Sequence, residues 1–426
     1  MLGRTPPRRA LGRPASHREG APVSARSGAR LRSRARLRLS AATLVGALAL
    51  GGAGQSARAA GTPPSPAPPP SPASAKALQK RLDDLVATSG GPPGAIALMQ
   101  VGDRTTVHRA GVADTRTGRP PRADEYMRLA SVSKAYSGAV ALRLVDRHRL
   151  GLDDTIGRRL PALPKAWHEV TLRQLLSHTS GLPDFSTAPA FLEILTADPR
   201  HRFDSRRLLD FVADRNLLFP PGSRYAYSNS DNIAVALMAE AVTGRPYERL
   251  LEQLVYRPLD LRQTLLPQGY RMPRPYLHGY DVTPPAPPED ISEALGASGV
   301  WASGGIVATP KDLNAFVRAW AGGRGYLSEE VRDQQRRFLP GAASEPAGPG
   351  VNAGGLAIFR YTTRCGTVYG HTGNFPGYTQ LAAATADGER SLTFSINTQT
   401  SKGLKPELLA KVRAVQEDFV CALLRR

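Results

Sequence analysis

Cysteine is nearly absent: the 426-residue chain carries two, Cys365 and Cys421. No zinc-binding motif accompanies them. Acidic residues are scarce as well, 36 against 56 lysines and arginines, which sets the formal net charge at +20. That balance invites a nucleic-acid reading, but its distribution argues against one. Residues 1–59 hold twelve arginines and one glutamate, so +11 belongs to that stretch and +9 to all the rest. No helix-turn-helix, zinc or RNA-binding signature stands beside the charge, and nucleic acid is not an expected partner. His108, His148, His168 and His201 lack metal-ligand spacing, and no phosphate-binding motif occurs. Neither a metal nor a cofactor is expected, and the chain is expected to act as a monomer. Internal repeats are also missing.

The amino terminus reads as an export signal. An arginine-rich stretch ends at Arg38, and an apolar run follows from Ala41 to about Ala53, too short to cross a bilayer comfortably. Ala57-Arg58-Ala59 places small residues on both sides of a cleavage position, and no cysteine follows to take a lipid anchor. Residues 1–59 are therefore expected to be a signal peptide and the protein to be secreted. Residues 60–74, which include "GTPPSPAPPPSPAS", form a proline-rich linker that cannot pack a core. In an oxidising compartment Cys365 and Cys421 form a disulfide or remain two isolated buried thiols.

Folded structure is expected over 75–424. Leu78, Leu82 and Leu85 line one face of a short helix, and "GAIALMQVGDRTTVHRAG" reads as a hairpin around Gly102-Asp103. "LASVSKAYSGAVALRLVDRHRLG" predicts a helix opening near Ser131, with apolar positions at Val132, Ala135, Ala139, Leu142 and Val145 and a stop at Gly151. Residues from about 152 to 290 read as helical and loop-rich, with stops at Gly181 and Gly244. "GYTQLAAATADGERSLTFSINT" is a second hairpin, turning at Asp387-Gly388. A last helix carries Leu408, Val412, Val415, Phe419 and Ala422 as a stripe. Strands at both chain ends thus enclose a helical middle, an α+β arrangement with one antiparallel sheet assembled from both ends.

Three short motifs occur in order: Ser131-Val-Ser-Lys134, Tyr227-Ser228-Asn229 and His371-Thr372-Gly373. Each alone is weak, but all three in this order arise by chance only about once in a thousand such compositions. On a helix, residues three apart share a face, so Ser131 Oγ and Lys134 Nζ can meet. A serine hydroxyl needs a neighbouring base, and a lysine serves only when its pKa is pushed down. Ser131 would attack a carbonyl, Lys134 would take its proton, and Tyr227 would serve as a phenolate-like base or as a relay. Asn229 offers an amide that donates and accepts. His371, Thr372 and Gly373 would edge the cleft, with the backbone N–H groups of Ser131 and Asn374 receiving the oxyanion. The bland alternative makes Ser131 a helix cap and Lys134 a solvated residue.

These motifs resemble the penicillin-recognising serine hydrolases, the family of class C β-lactamases and secreted D-alanyl-D-alanine carboxypeptidases. The resemblance spans nearly all of 76–424 and includes "LLSHTSGLPDF", "PPGSRYAYSN", "HGY" at 278–280 and "GGIVATPKDLNAF". It implies a β-lactamase/transpeptidase-like fold and a secreted serine carboxypeptidase acting through a Ser131 acyl-enzyme. The implied partners are peptidoglycan stem peptides, or other acyl-D-amino-acid or ester substrates, with β-lactams as acylating inhibitors. Histidine in the third motif, a cysteine shortly before it and another in the last helix match the carboxypeptidase branch. One departure stands out: Asn374 occupies the position where that branch often has a carboxylate-binding threonine. Esterase, D-amino-acid amidase and β-lactamase therefore remain alternatives, and a non-catalytic penicillin-binding protein is a more distant one. His178 and Ser228 read as turn-supporting residues and Trp301 as core.

Overall fold

The first helix, α1 (Ala75–Val86), buries Leu78, Leu82 and Leu85, as the period of that stretch predicts. It leads into the hairpin β1 (Gly94–Val101) and β2 (Arg104–Gly111), with Gly102 at φ +55° in the turn. The computed structural model describes residues 75–322 and 325–425. The expected signal peptide and linker lie outside those residues.

The long helices that follow are α2 (Ser133–Asp146), α3 (Asn229–Thr243) and α4 (Pro310–Gly322). Then come β3 (Leu339–Pro340), β4 (Val351–Gly354), β5 (Phe359–Thr363), β6 (Gly366–Phe375), β7 (Tyr378–Ala384), β8 (Arg390–Ile396) and α5 (Pro406–Leu424). The eight strands form one antiparallel sheet in the order β2-β1-β8-β7-β6-β5-β4-β3. The two chain ends meet where β1 pairs with β8, Ala95 opposite Ile396 and Val101 opposite Arg390.

Both faces of the central strands are covered, which explains why "GAIALM" is apolar at successive rather than alternate positions. Ala95, Ala97 and Met99 join the core cluster that holds the leucines of α1 and Leu408, Val412, Val415 and Phe419 of α5. The opposite face carries α4, tied down by Asn314 Nδ2 donating to Gln100 Oε1 at 2.6 Å and by Arg318 Nε donating to Gly388 O. Cys365, beside the β5–β6 turn, is disulfide-bonded to Cys421 of α5, with 5.1 Å between Cα atoms.

Between residues 152 and 290 the described strands are two residues long, and the rest is short helices, 3-10 turns and loops around α3. Three expected boundaries shift. The helix from the first motif begins at Ser133, because Ala130–Val132 is a separate 3-10 turn, and it ends at Asp146 rather than Gly151. His148, at φ +54°, already turns the chain there. Helix α2 is also buried almost all round, since Ala135, Ser137, Gly138, Ala139 and Ala141 are small enough for neighbours on every side. An apolar stripe underestimates such a helix. Gly244 does end α3, at φ +66°, but the helix expected to stop at Gly181 ends at Leu176, where Ser177 turns the chain.

Candidate active site

Ser131 sits in the 3-10 turn just ahead of α2 and makes no capping hydrogen bond, so the helix-cap alternative fails. Ala130, before it, takes φ +52°, an unusual left-handed conformation for a residue with a Cβ. One turn on, Lys134 is fully buried rather than solvated. Its Nζ donates to Asn229 Oδ1 at 2.7 Å, to Ser303 O at 2.9 Å and to Ser131 Oγ at 3.2 Å. Burial lowers its pKa to about 7, although Asp184 and Asp231 pull the other way.

Tyr227 closes a second side, with its ring 4.8 Å from Lys134 Nζ. Burial raises its phenol far above the ordinary value, and Ser131 offsets this only in part. Its hydroxyl faces Ser131 but makes no well-formed hydrogen bond among the described residues. Such a phenol keeps its proton at neutral pH, so this geometry suits a relay and not a phenolate base. Asn229, the first residue of α3, is engaged on both sides of its carboxamide. The oxygen accepts from Lys134, and Nδ2 donates to Asp184 Oδ2 and Ser186 Oγ, both at 3.0 Å. A substrate amide would have to exchange for one of these partners. Ser228 precedes it with a buried hydroxyl that has no hydrogen bond among the described residues.

The third side is strand β6. Its pairing with β5 stops at Gly370, which leaves His371–Phe375 unpaired on that edge. Here Gly373 is required by close approach: a Cβ would lie 2.3 Å from Leu129 O and 3.2 Å from Ser131 N. The strand backbone at Gly373-Asn374 therefore comes against the Ser131 turn, the juxtaposition a two-donor oxyanion site needs. His371 is buried, and burial together with Lys134 pushes its pKa down to about 3. Its Nδ1 donates to Thr372 O at 2.5 Å, which fixes the tautomer and leaves Nε2 an unprotonated, unpartnered acceptor. The third motif thus carries no positive charge at neutral pH. The Thr372 hydroxyl is turned into protein, donating to Pro346 O at 2.5 Å beside Ser344 Oγ. Asn374 Oδ1 accepts from Thr379 Oγ1 at 3.1 Å and Thr400 N at 3.3 Å.

Residues 76–417 match the family model described as Beta-lactamase. The chain belongs to the Beta-lactamase family. This β-lactamase-family chain is 29% identical over 326 residues to Esterase EstB of Burkholderia gladioli, covering 66% of this chain and 81% of that one. It is 25% identical over 256 residues to the D-alanyl-D-alanine-carboxypeptidase/endopeptidase AmpH of Escherichia coli (strain K12), covering 57% and 62%. Among solved structures, the D-amino acid amidase from Ochrobactrum anthropi SV3 superposes with a TM-score of 0.70 at 26% identity, covering 81% and 98%. The β-lactamase-family enzyme is a serine hydrolase with the β-lactamase/transpeptidase-like fold.

Four groups at this site were not singled out from sequence: Asp184, Asp231, Ser303 and Ser344. Asp184 stands in "LLSHTSGLPDF", so the resemblance marked its segment but not its role. His178 proves more than a turn residue, since its ring lies on Tyr227. Trp301 is core, with Nε1 donating to Glu248 Oε1 at 2.9 Å.

Proposed function

We propose that this enzyme is a secreted serine D-Ala-D-Ala carboxypeptidase that cleaves cell-wall peptides through an acyl-enzyme on Ser131. The observation that carries the reading is Lys134, buried, with a pKa of about 7 and 3.2 Å from Ser131 Oγ. In its neutral form Lys134 takes the Ser131 proton as Oγ bonds to the carbonyl carbon. The carbonyl oxygen gains the electron pair and rests on the N–H groups of Ser131 and Asn374. Tyr227 relays the proton to the departing amine, and water then releases the acyl group along the reverse path. β-Lactams acylate the same serine. Residues 1–59 direct export and are removed, so amino-terminal sequencing of culture-supernatant protein should begin near Ala60; a cytoplasmic protein retaining Ala41–Ala53 would refute export.

A second reading, D-amino-acid amidase or esterase, is favoured by the third motif. His371 is uncharged, the Thr372 hydroxyl is bound to Pro346 O, and Asn374 replaces threonine, so a substrate carboxylate finds little here. The deciding measurement is kcat/KM for diacyl-Lys-D-Ala-D-Ala, its carboxyl-terminal amide, nitrocefin and a p-nitrophenyl ester. Preference for the free carboxylate supports the carboxypeptidase. Equal rates on the amide, turnover of the ester alone, or fast nitrocefin hydrolysis would each replace it.

A further inference from the structure

Asp184 touches neither Ser131 nor Lys134, yet its bonds decide what Lys134 can do. Its Oδ1 accepts from Ser186 N at 2.9 Å and Ser186 Oγ at 2.7 Å, and its Oδ2 accepts from Asn229 N at 2.9 Å and Asn229 Nδ2 at 3.0 Å. All four partners are donors, and a carboxylate offers only acceptors in return. Asn229 Nδ2 also donates to Ser186 Oγ, so both its amide hydrogens are spent on this side. Turning the carboxamide over would set Asn229 Oδ1 against Asp184 Oδ2, oxygen against oxygen. The carboxylate thereby locks Asn229 with its oxygen toward Lys134.

The consequence follows from counting hydrogens. An ammonium has three N–H groups and here meets three acceptors. A neutral amine has two N–H groups and one lone pair. Asn229 Oδ1 and Ser303 O can only accept, so they take the two hydrogens. The remaining direction, toward Ser131 Oγ, holds the lone pair. With Asn229 reversed, its NH2 would donate into that lone pair and occupy the base.

We propose that Asp184 is a positioning residue that fixes the orientation of Asn229 and so aims the lone pair of neutral Lys134 at the Ser131 hydroxyl. This rests on the reading of Lys134 as the base. The ionisable groups around Lys134 are His178 and Asp184 from the segment after the helix Leu172–Leu176, Tyr227 from just before α3, Asp231 from α3 and His371 from β6. Of these, Asp184 and Asp231 raise the lysine pKa, while Lys134 and the two histidines disfavour one another's charged forms.

The test is the rate of Ser131 acylation by a penicillin, followed by mass spectrometry across pH, for wild type, Asp184→Asn and the exchange Asp184→Asn/Asn229→Asp. The single Asp184→Asn variant should acylate about 100-fold more slowly, the scale of a lost general base. Its residual activity should titrate at lower pH than wild type, because a negative charge near Lys134 is gone. The exchange returns an oxygen that can only accept to Lys134 and a negative charge beside it. It should recover about tenfold of the loss and move the acidic limb above that of wild type. A purely structural role would lower the melting temperature without moving the two limbs in opposite directions. Wild-type rates and an unshifted profile in Asp184→Asn, or no recovery in the exchange, overturn the inference. A wild-type enzyme that never labels at Ser131 overturns the functional reading beneath it.

Discussion

The imidazole of His178 lies against the phenol ring of Tyr227, with centroids 4.5 Å apart and planes inclined by 40°. Behind it, His178 Nδ1 is 2.7 Å from Asp231 Oδ2, and Ser180 Oγ donates to the other oxygen of the same carboxyl. Burial pushes Asp231 above the usual carboxyl range and His178 down to about 3, so burial works against a charge on either partner. Ser228 N also points at Nδ1, at 3.5 Å, which fits a nitrogen that accepts from the Asp231 acid. The hydrogen-bonded pair backs the tyrosine ring.

If Asp231 is the protonated partner, an amide can replace it. Asp231→Asn should unfold within about 0.5 kcal/mol of wild type, while Asp231→Ala should lose about 1–3 kcal/mol by stranding His178 and Ser180. Urea denaturation of both variants measures this. A large loss in the Asn variant would mean that the carboxylate is ionised.

Acylation needs neutral Lys134. With its pKa near 7, the fraction of neutral lysine, and with it the acylation rate, should rise with pH through about 7 and level off above. Lys134→Arg keeps its charge at every accessible pH and should abolish labelling of Ser131. A flat wild-type profile between about pH 5 and 9 would contradict the assignment.

Tyr227→Phe removes a buried hydroxyl that faces Ser131 without a well-formed hydrogen bond among the described residues. Stability should therefore be unchanged or slightly increased, while turnover should fall about 10²- to 10⁴-fold through loss of the relay. Thermal unfolding and kcat separate the two effects. A folded, fully active variant would remove Tyr227 from the mechanism.

Gly373→Ala places a methyl group 2.3 Å from Leu129 O, a backbone atom that cannot rotate away. The β6 edge and the Ser131 turn should separate, lowering kcat far more than it alters substrate affinity. Steady-state kinetics will show whether kcat carries the loss.

Replacing Cys365 and Cys421 by serine opens a loop of 56 residues' separation. In the chain-entropy account this costs about 4 kcal/mol of stability. The disulfide ties the β5–β6 turn to α5, away from the Ser131 turn, so kcat should be retained at temperatures where the variant stays folded. Urea midpoints and kcat measured together test both halves.

The amino-acid sequence by itself determined the three motifs, the two hairpins at Gly102-Asp103 and Asp387-Gly388, and the apolar stripes of α1 and α5. Each is written within a few residues, by period, turn chemistry or fixed spacing. It also marked the chain ends as strand-forming, from which the main antiparallel sheet followed. What it left open depends on groups far apart in the chain. Two isolated thiols and a disulfide were both consistent with the cysteines until β6 and α5 brought them together. A serine at the head of a helix could have been a cap; only the 3-10 turn and the packing around α2 made Lys134 a buried amine. That burial, which lowers the lysine pKa and raises that of Tyr227, is a property of low-dielectric surroundings assembled from α2, α3 and β6. No local pattern encodes it. Asp184 and His178 were visible as letters, but their action on Asn229 and Tyr227 exists only where the folded chain sets them at hydrogen-bonding or ring-contact distance, because those forces reach only a few ångströms.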